Sequence, residues 1–295
     1  MTLILDGKKL SLQIQEEIRT EIDALRQSGK KIPHLAAVLV GNDGASTTYV
    51  NSKIRLCTAV GMQSTFIHLD DTISEAELLR FVEDLNTNPD VDGFIVQLPL
   101  PKHINENKIV ESISPDKDVD GFHPINLGRM QLGLPAFISA TPAGIMTMLK
   151  RYQIETTGKH CVVIGRSNIV GTPMSILLSR NTNPGNCTVT LCHSKTSNIA
   201  DMCRSADILI AALGKPGFVT ADMVKPGAVV IDVGISRVQA DNEKGHAIMG
   251  DVDFASVAPK CSAISPVPGG VGLMTVASLL LNTMQAAGKS TKGHA

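Results

Sequence analysis

An α/β protein with mostly parallel sheets is predicted by three features of the sequence. Helical apolar periodicity alternates with short extended runs along the chain, the runs of the second half are almost wholly apolar, and a glycine turn follows one of them. Strands that alternate with helices need right-handed crossovers, which cover both faces of a parallel sheet and so demand apolar residues on both.

The elements follow in order. Leu10, Ile14, Ile18, Ile22 and Leu25 recur every three or four residues and stop before Gly29, predicting an amphipathic helix. Residues 34–40 read as a strand ended by Gly41, and a helix is expected from near Ser46 to Gly61. A strand over 64–69 leads through the Asp70-Asp71 turn to a capping box, Ser74 with Glu77, that opens a helix through Leu78, Val82 and Leu85. Residues 91–97 read as a strand, and the acidic run 114–122, with Pro115, Gly121 and no apolar period, as a loop. Thr141 as N-cap and Pro142 at the first helical position open a helix through Ile145, Met148, Leu149 and Tyr152, expected to bridge two domains. Strands over 161–164, 188–191, 208–211, 229–232 and 262–264 predict a doubly wound parallel sheet, and polar residues 236–250 a surface excursion.

At roughly 150 residues per domain, 295 residues suggest two domains. Hydrophobic residues at 43% and charged residues at 19% exclude a disordered or collagen-like chain. Lys and Arg number 27 against 28 acidic residues, so no basic field is available for nucleic acid or an anionic membrane. The six cysteines form no CxxC pair and no zinc-like cluster, which predicts reduced structural thiols and no metal site. The N-terminus has neither the order nor the length of a secretory signal, so a cytoplasmic location is expected, and prolines and glycines interrupt the long uncharged stretch 261–288, so no membrane segment is expected.

Several residues carry chemistry. Gly165-Arg-Ser-Asn-Ile-Val-Gly171 follows a strand and precedes a helix expected near Pro173, where a Rossmann-like sheet places its phosphate-binding turn, although the spacing is not GxGxxG. The next strand ends in His193-Ser194-Lys195 rather than in the acid that binds the ribose of NAD. Ser194, Lys195 and Arg166 instead offer donors and positive charge for a 2′-phosphate, favouring NADP. Tyr49 and Lys53 lie one turn apart on a helix. Gln97-Leu-Pro-Leu-Pro101 ends a strand at the edge where α/β proteins bind ligands, Asp120 lies in the acidic loop, and Pro266-Val-Pro-Gly-Gly-Val-Gly272 brings bare backbone to the start of a helix.

Together these motifs resemble the bifunctional methylenetetrahydrofolate dehydrogenase and methenyltetrahydrofolate cyclohydrolase family. Tyr49-Val-Asn-Ser-Lys53, Val96-Gln-Leu-Pro-Leu-Pro101, Asp118-Val-Asp-Gly-Phe-His-Pro124, Gly165 to Gly171 and Pro266 to Gly272 match its signatures in order. Leu273, where a proline is expected, and Gly44, before the Tyr-Lys helix, depart from the pattern. The resemblance implies oxidation of 5,10-methylenetetrahydrofolate with NADP, then hydrolysis of the methenyl cation to 10-formyltetrahydrofolate, both in one cleft between an N-terminal folate domain and a Rossmann-like NADP domain. It places the folate domain at 1–140 and the NADP domain at 141–271, with a last helix near 272–288 packing back on the first domain, and it implies a homodimer formed through the nucleotide domain. Catalytic roles are expected for Lys53, Tyr49, Gln97 and Asp120. Folate contacts are expected also from Val96, Leu98, Pro268, Gly269, Gly270, Val271 and Gly272. NADP contacts are expected from Gly165, Arg166, Ser167, Ile169, His193, Ser194, Lys195 and Ile235.

Lys53 suits acid-base work if it is desolvated and has no anion beside it, with the neutral Gln97 amide orienting the amine. Tyr49 offers a face to the aminobenzoyl ring, and Asp120 paired acceptors to the aminopyrimidine edge. Two other readings stay open at this point: a dehydrogenase without cyclohydrolase activity, and a folate- or nucleotide-binding sensor without turnover.

Overall fold

The computed structural model describes residues 1–241 and 245–288. The chain forms two compact units, one of residues 12–140 with the chain from Val276 onward, the other of residues 1–11 with 141–275.

The first eleven residues join the second unit, which the expected 1–140 domain did not anticipate. Their strand β1 (Leu3–Ile4) pairs in parallel with a strand at residues 263–264, and the Leu5 N–H donates to the Ile264 carbonyl at 2.8 Å. Two residues are too few to show a period, so this strand left no signal in the sequence.

In the 12–140 unit, the amphipathic helix α1 (Gly7–Gln27) buries Ile14, Ile18 and Ile22. Strand β2 (His34–Val40) is followed by α2 (Gly44–Val60), which starts two residues before the expected Ser46 because the Asp43 carboxylate accepts from the Ser46 N–H at 2.8 Å. Strand β3 (Gln63–Leu69) leads to α3 (Glu75–Thr87), whose capping box of Ser74 and Glu77 is present as predicted. Strand β4 (Gly93–Val96) is shorter than the expected 91–97, yet the Gln97 N–H still donates to the Val38 carbonyl at 2.9 Å. Two short helices that the sequence pattern did not mark follow, α4 (Glu106–Ser112) and α5 (Pro124–Leu132). The strands lie parallel in the order β3-β2-β4, so the chain leaves β2 toward one side and returns to its other side. The main core joins Val38, Phe94 and Val96 to Leu78, Val82 and Ile109.

Helix α6 (Ala140–Arg151) opens the other unit two residues before the expected Pro142. Thr141 is therefore no N-cap; its hydroxyl lies 3.0 Å from that of Thr275. Strand β5 (His160–Ile164), α7 (Gly171–Ser179), β6 (Thr188–Cys192), α8 (Ile199–Ser205), β7 (Ile208–Ala211) and β8 (Val229–Asp232) follow in alternation. Helix α7 begins at Gly171, two residues before the expected Pro173. The predicted surface excursion contains an antiparallel pair, β9 (Ser236–Gln239) with β10 (His246–Met249), and residues 242–244 lie outside those described. A short helix α9 (Phe254–Val257), strand β11 (Ala263–Ile264) and α10 (Val271–Ala286) complete the chain. The sheet is parallel throughout in the order β1-β11-β8-β7-β5-β6. Counted from β5 this is the doubly wound 2-1-3-4-5 order, whose switch point lies between β5 and β7. All six cysteines are buried and unpaired.

Gly44 is the first residue of α2, an added Cβ there would meet nothing within 4 Å, and Asp43 before it is extended at ψ 123. That backbone already suits a proline at the first helical position. Gly44→Pro is expected to raise unfolding free energy by about 0.4–1 kcal/mol by restricting the unfolded chain, measured by urea denaturation. A loss of stability would show that α2 does not start here.

Candidate functional site

The order β3-β2-β4 puts a switch point at the carboxyl ends of β2 and β4, where the connections leave in opposite directions and open a crevice. Helix α2 follows β2 and carries Tyr49 and Lys53, while Gln97 directly follows β4. The Lys53 ammonium donates to Gln97 Oε1 at 3.2 Å. The Gln97 amide is held by its own Nε2, which donates to the Leu98 carbonyl at 2.7 Å and leaves Oε1 for the lysine. Lys53 is 7% exposed, so its charge depends on these neighbours.

Asp120 closes the group, with Oδ2 3.8 Å from Lys53 Nζ. This corrects the expectation that no anion stands beside the lysine. The chain reverses after Asp120 at Gly121, whose φ of +71 is left-handed and whose Cβ would lie 2.6 Å from the Ser139 nitrogen. That turn brings the carboxylate to Lys53, a placement that spacing along the sequence does not reveal. Tyr49 is 40% exposed, and the partial burial of its hydroxyl raises its pKa, keeping it a neutral phenol. Burial pushes the Cys57 thiol, one turn beyond Lys53, up to about 12, which removes it as a nucleophile.

The loop is set by residues that sequence reasoning passed over. Asp118 is 2% exposed and accepts from the N–H groups of Phe122 and His123, at 3.2 and 2.8 Å, and from Asn126 Nδ2 at 2.9 Å. Burial raises its pKa while these donors oppose the rise. Asn282 on α10 donates through Nδ2 to the carbonyls of Val119 and Ile138, at 2.8 and 3.0 Å. Nothing in the local pattern distinguishes buried Asp118 from Asp120 two residues on. Val96 is buried at 5%, whereas Gln97 and Leu98 after it are partly exposed.

The other unit presents a second constellation. The turn after β5 is tight: a Cβ on Gly171 would lie 1.9 Å from the Gly165 carbonyl oxygen, and one on Gly165, at φ +115, would lie 2.0 Å from that of Ala212. Such contacts leave only backbone at the start of α7, a cradle for phosphate. Ser167 Oγ accepts from the Val170 N–H at 3.1 Å and shapes the turn, while Arg166, Ser167 and Ile169 are exposed. Ile164 and Cys192 are register partners, so the loops after β5 and β6 leave the sheet at the same level. The second loop folds on itself, Lys195 N–H donating to His193 Nδ1 at 3.2 Å, and exposes Ser194 and Lys195. Arg166, Ser194 and Lys195 thus stand on adjacent loops with no carboxylate at the end of β6. This donor set fits NADP.

Residues 266–272 are packed by backbone: Lys8 N–H donates to the Gly269 carbonyl at 3.0 Å, and a Cβ on Gly270 would lie 2.4 Å from the Pro266 carbonyl oxygen. Val271 is 2% exposed and Gly269 and Gly270 have no side chain, so apart from the exposed Pro268 ring this segment presents main chain. Ile235 is exposed beside Gly272, whose Cβ would lie 2.8 Å from its Cδ1. The Leu273 N–H donates to the Gly270 carbonyl at 3.3 Å, a bond that proline could not make, and α10 begins at Val271. Among the described residues no cluster of metal ligands occurs.

Fold and sites together define a two-unit α/β dinucleotide-dependent protein with a lysine-centred polar site. The catalytic-domain model of tetrahydrofolate dehydrogenase/cyclohydrolase matches residues 5–120 and the NAD(P)-binding-domain model residues 139–291. The chain is 62% identical to the bifunctional protein FolD of Cytophaga hutchinsonii over 96% of its own length and 98% of that protein's. Among solved structures, it resembles FolD of Campylobacter jejuni with a TM-score of 0.92 and 47% identity, over 98% of this chain and 99% of that one. The dehydrogenase-cyclohydrolase of Trypanosoma brucei, complexed with NADP cofactor and inhibitor, matches with a TM-score of 0.92 and 34% identity, over 99% of each chain. The chain belongs to the tetrahydrofolate dehydrogenase/cyclohydrolase family.

A pair of buried acids braces the loop that carries Ile235. Asp232, 3% exposed at the end of β8, accepts from the N–H groups of Gly234, Asp251 and Val252 at 2.9, 2.9 and 3.0 Å. Asp251 in turn accepts from the N–H groups of Leu213 and Gly214. Burial lifts the Asp232 carboxyl from 3.8 to about 6, against the pull of its three donors, with Asp251 adding to the rise. The native state therefore binds this proton more tightly than the unfolded chain. The contribution is full below about pH 4 and is lost as pH rises to about 6, so this residue makes stability fall across that window. An NMR titration of the Asp232 carboxyl carbon should have its midpoint near pH 6; one below 4 would refute the assignment.

Proposed function

We propose that Lys53, Gln97 and Asp120 carry the chemistry of a bifunctional one-carbon enzyme, and the observation that supports this most is their meeting at the switch point of the first sheet. The protein oxidises 5,10-methylenetetrahydrofolate to the methenyl cation with NADP, then hydrolyses the cation to 10-formyltetrahydrofolate. NADP, when bound, supplies the hydride acceptor for the first reaction. Gly165, Gly171 and Ser167 cradle its phosphates, Arg166, Ser194 and Lys195 hold the 2′-phosphate, and His193, Ile169 and Ile235 complete its walls.

On the folate side, Asp120 accepts paired hydrogen bonds from the aminopyrimidine edge, and Tyr49 packs against the aminobenzoyl ring. Leu98 contributes shape. Oxidation asks these residues chiefly for position. Hydrolysis also asks for proton transfer. Water adds to the cationic carbon and gives a proton to the Lys53 amine. The carbinol proton then passes to solvent water as the carbonyl forms, the bond to N5 breaks with its electron pair passing to N5, and N5 takes a proton from Lys53.

Two circumstances let Lys53 do this with an anion nearby. Asp120 at 3.8 Å is beyond direct hydrogen bonding and is occupied by the pterin once folate is seated, whereas Gln97 keeps hold of the amine. The methenyl substrate is itself a cation, and its like charge favours departure of the lysine's proton. The Lys53–Gln97 pair also sets this chain apart from a dehydrogenase without cyclohydrolase activity.

The protein acts as a homodimer in the cytoplasm. Support for the dimer is the edge strand β6, whose outer main chain pairs with no strand among the described residues. Six unpaired thiols suit a reducing compartment.

Two substitutions test the assignments. Lys53→Met keeps the apolar stem but exchanges no proton, so hydrolysis of supplied methenyltetrahydrofolate should fall by about two to four orders of magnitude, with NADP-dependent oxidation surviving in part and methenyl absorbance accumulating. Hydrolysis at the parent rate would exclude Lys53. Arg166→Ala should raise the Michaelis constant for NADP by roughly ten- to a hundredfold and leave that for NAD nearly unchanged. Equal losses for both cofactors would show that Arg166 does not read the 2′-phosphate.

A further inference from the structure

Asp120 stands in the 114–122 loop outside any helix or strand, so something other than secondary structure must fix its main chain. On its C-terminal side the fixing is done by buried Asp118, which takes the Phe122 and His123 N–H groups. On its N-terminal side the adjoining carbonyl is that of Val119, and Asn282 donates to it at 2.8 Å while donating to the Ile138 carbonyl at 3.0 Å. Ile138 and Ser139 are the segment against which Gly121 turns, with no room for a Cβ. One amide, 7% exposed, thus ties together the two stretches between which the Asp120 turn is wedged. Asn282 lies far from the folate motifs in sequence, on the buried face of a helix that also buries Ser278 and Thr283. A helix face that needed only packing would carry a leucine here, since burying an amide without its partners is costly.

We infer that Asn282 is a positioning residue for folate: its side-chain amide holds the Val119 carbonyl so that the neighbouring Asp120 carboxylate presents its oxygens to the aminopyrimidine. This rests on the reading of Asp120 as the pterin acceptor. Acting through Asp120, Asn282 tunes folate affinity in both reactions and leaves nucleotide affinity alone.

The test is a double-mutant cycle on the full-length protein with 5,10-methylenetetrahydrofolate and NADP. Asn282→Leu, close in volume, should raise the Michaelis constant for methylenetetrahydrofolate about tenfold, with kcat within about threefold and the constant for NADP unchanged. In an Asp120→Ala background the same substitution should have no further effect on the folate constant, because the two act as one unit. Full additivity would overturn the proposal. If Asp120→Ala alone leaves the folate constant unmoved, the reading of Asp120 falls and the proposal with it. If Asp120→Ala raises it but Asn282→Leu does not, the proposal alone falls. Met284→Ala, on the same helix at a fully buried position with no bond to the loop, controls for lost stability. At equal thermal destabilisation it should leave the folate constant near the parent value, and an equal rise would refute a specific role. Should Asn282→Leu fold poorly, Asn282→Ser with hydrogen exchange of the Gly121 N–H, which donates to the Asp118 carbonyl at 3.1 Å, gives a second reading. Exchange should speed up in the variant; unchanged exchange would overturn the proposal.

Discussion

The site depends on one topological constraint. A parallel strand must be followed by a right-handed crossover, and where successive crossovers depart to opposite sides of a strand their connections part and leave a crevice at its carboxyl end. Both units have this order, β3-β2-β4 in one and β6-β5-β7 in the other. In the first it sets α2 against the end of β4, so that residues 44 apart in sequence, Lys53 and Gln97, come within a hydrogen bond. In the second it sets the glycine turn after β5 against Ala212 after β7, leaving no space for a side chain. The same device serves two chemistries because the residues placed at it differ, an amine and an amide in one, bare backbone and cations in the other.

Loops at such crevices have no sheet or helix to satisfy their main chain, and here buried carboxylates take that part. Asp118 collects the donors of the turn after Asp120, and Asp232 with Asp251 collects those of the segments around Ile235. Desolvation works against each charge, which is why the pKa values of Asp118 and Asp232 are raised despite several N–H donors. The cost is tolerated because an unsatisfied buried N–H would be costly too, and because a carboxylate can accept from several donors where an amide oxygen accepts from fewer.

The lysine is the clearest case of a site differing from its sequence reading. A general acid-base amine was expected in isolation from anions, and it stands instead between a neutral amide at 3.2 Å and a carboxylate at 3.8 Å. The acidic loop turns back at Gly121 and so supplies that carboxylate.

What the sequence determined by itself is local and repetitive. The periods of α1 and α3, the capping box at Ser74, the apolar strands β5, β7 and β8 and the glycine turn at 165 were all legible, because each is enforced by neighbours a few residues away. Lys53, Gln97 and Asp120 stood out as members of ordered motifs, and the structure brings these three together. Only the tertiary structure decided that Leu3 and Ile4 pair with β11, that Thr141 lies inside its helix rather than capping it, and that Asp120 turns back to Lys53. It alone gave Asp118 and Asn282 their parts, since hydrogen bonds between groups four to 163 residues apart, made by side chains in a loop and on a distant helix, leave no periodic trace in the chain. Periodicity reports which face of an element is buried; which buried polar group meets which carbonyl is settled only when the elements pack.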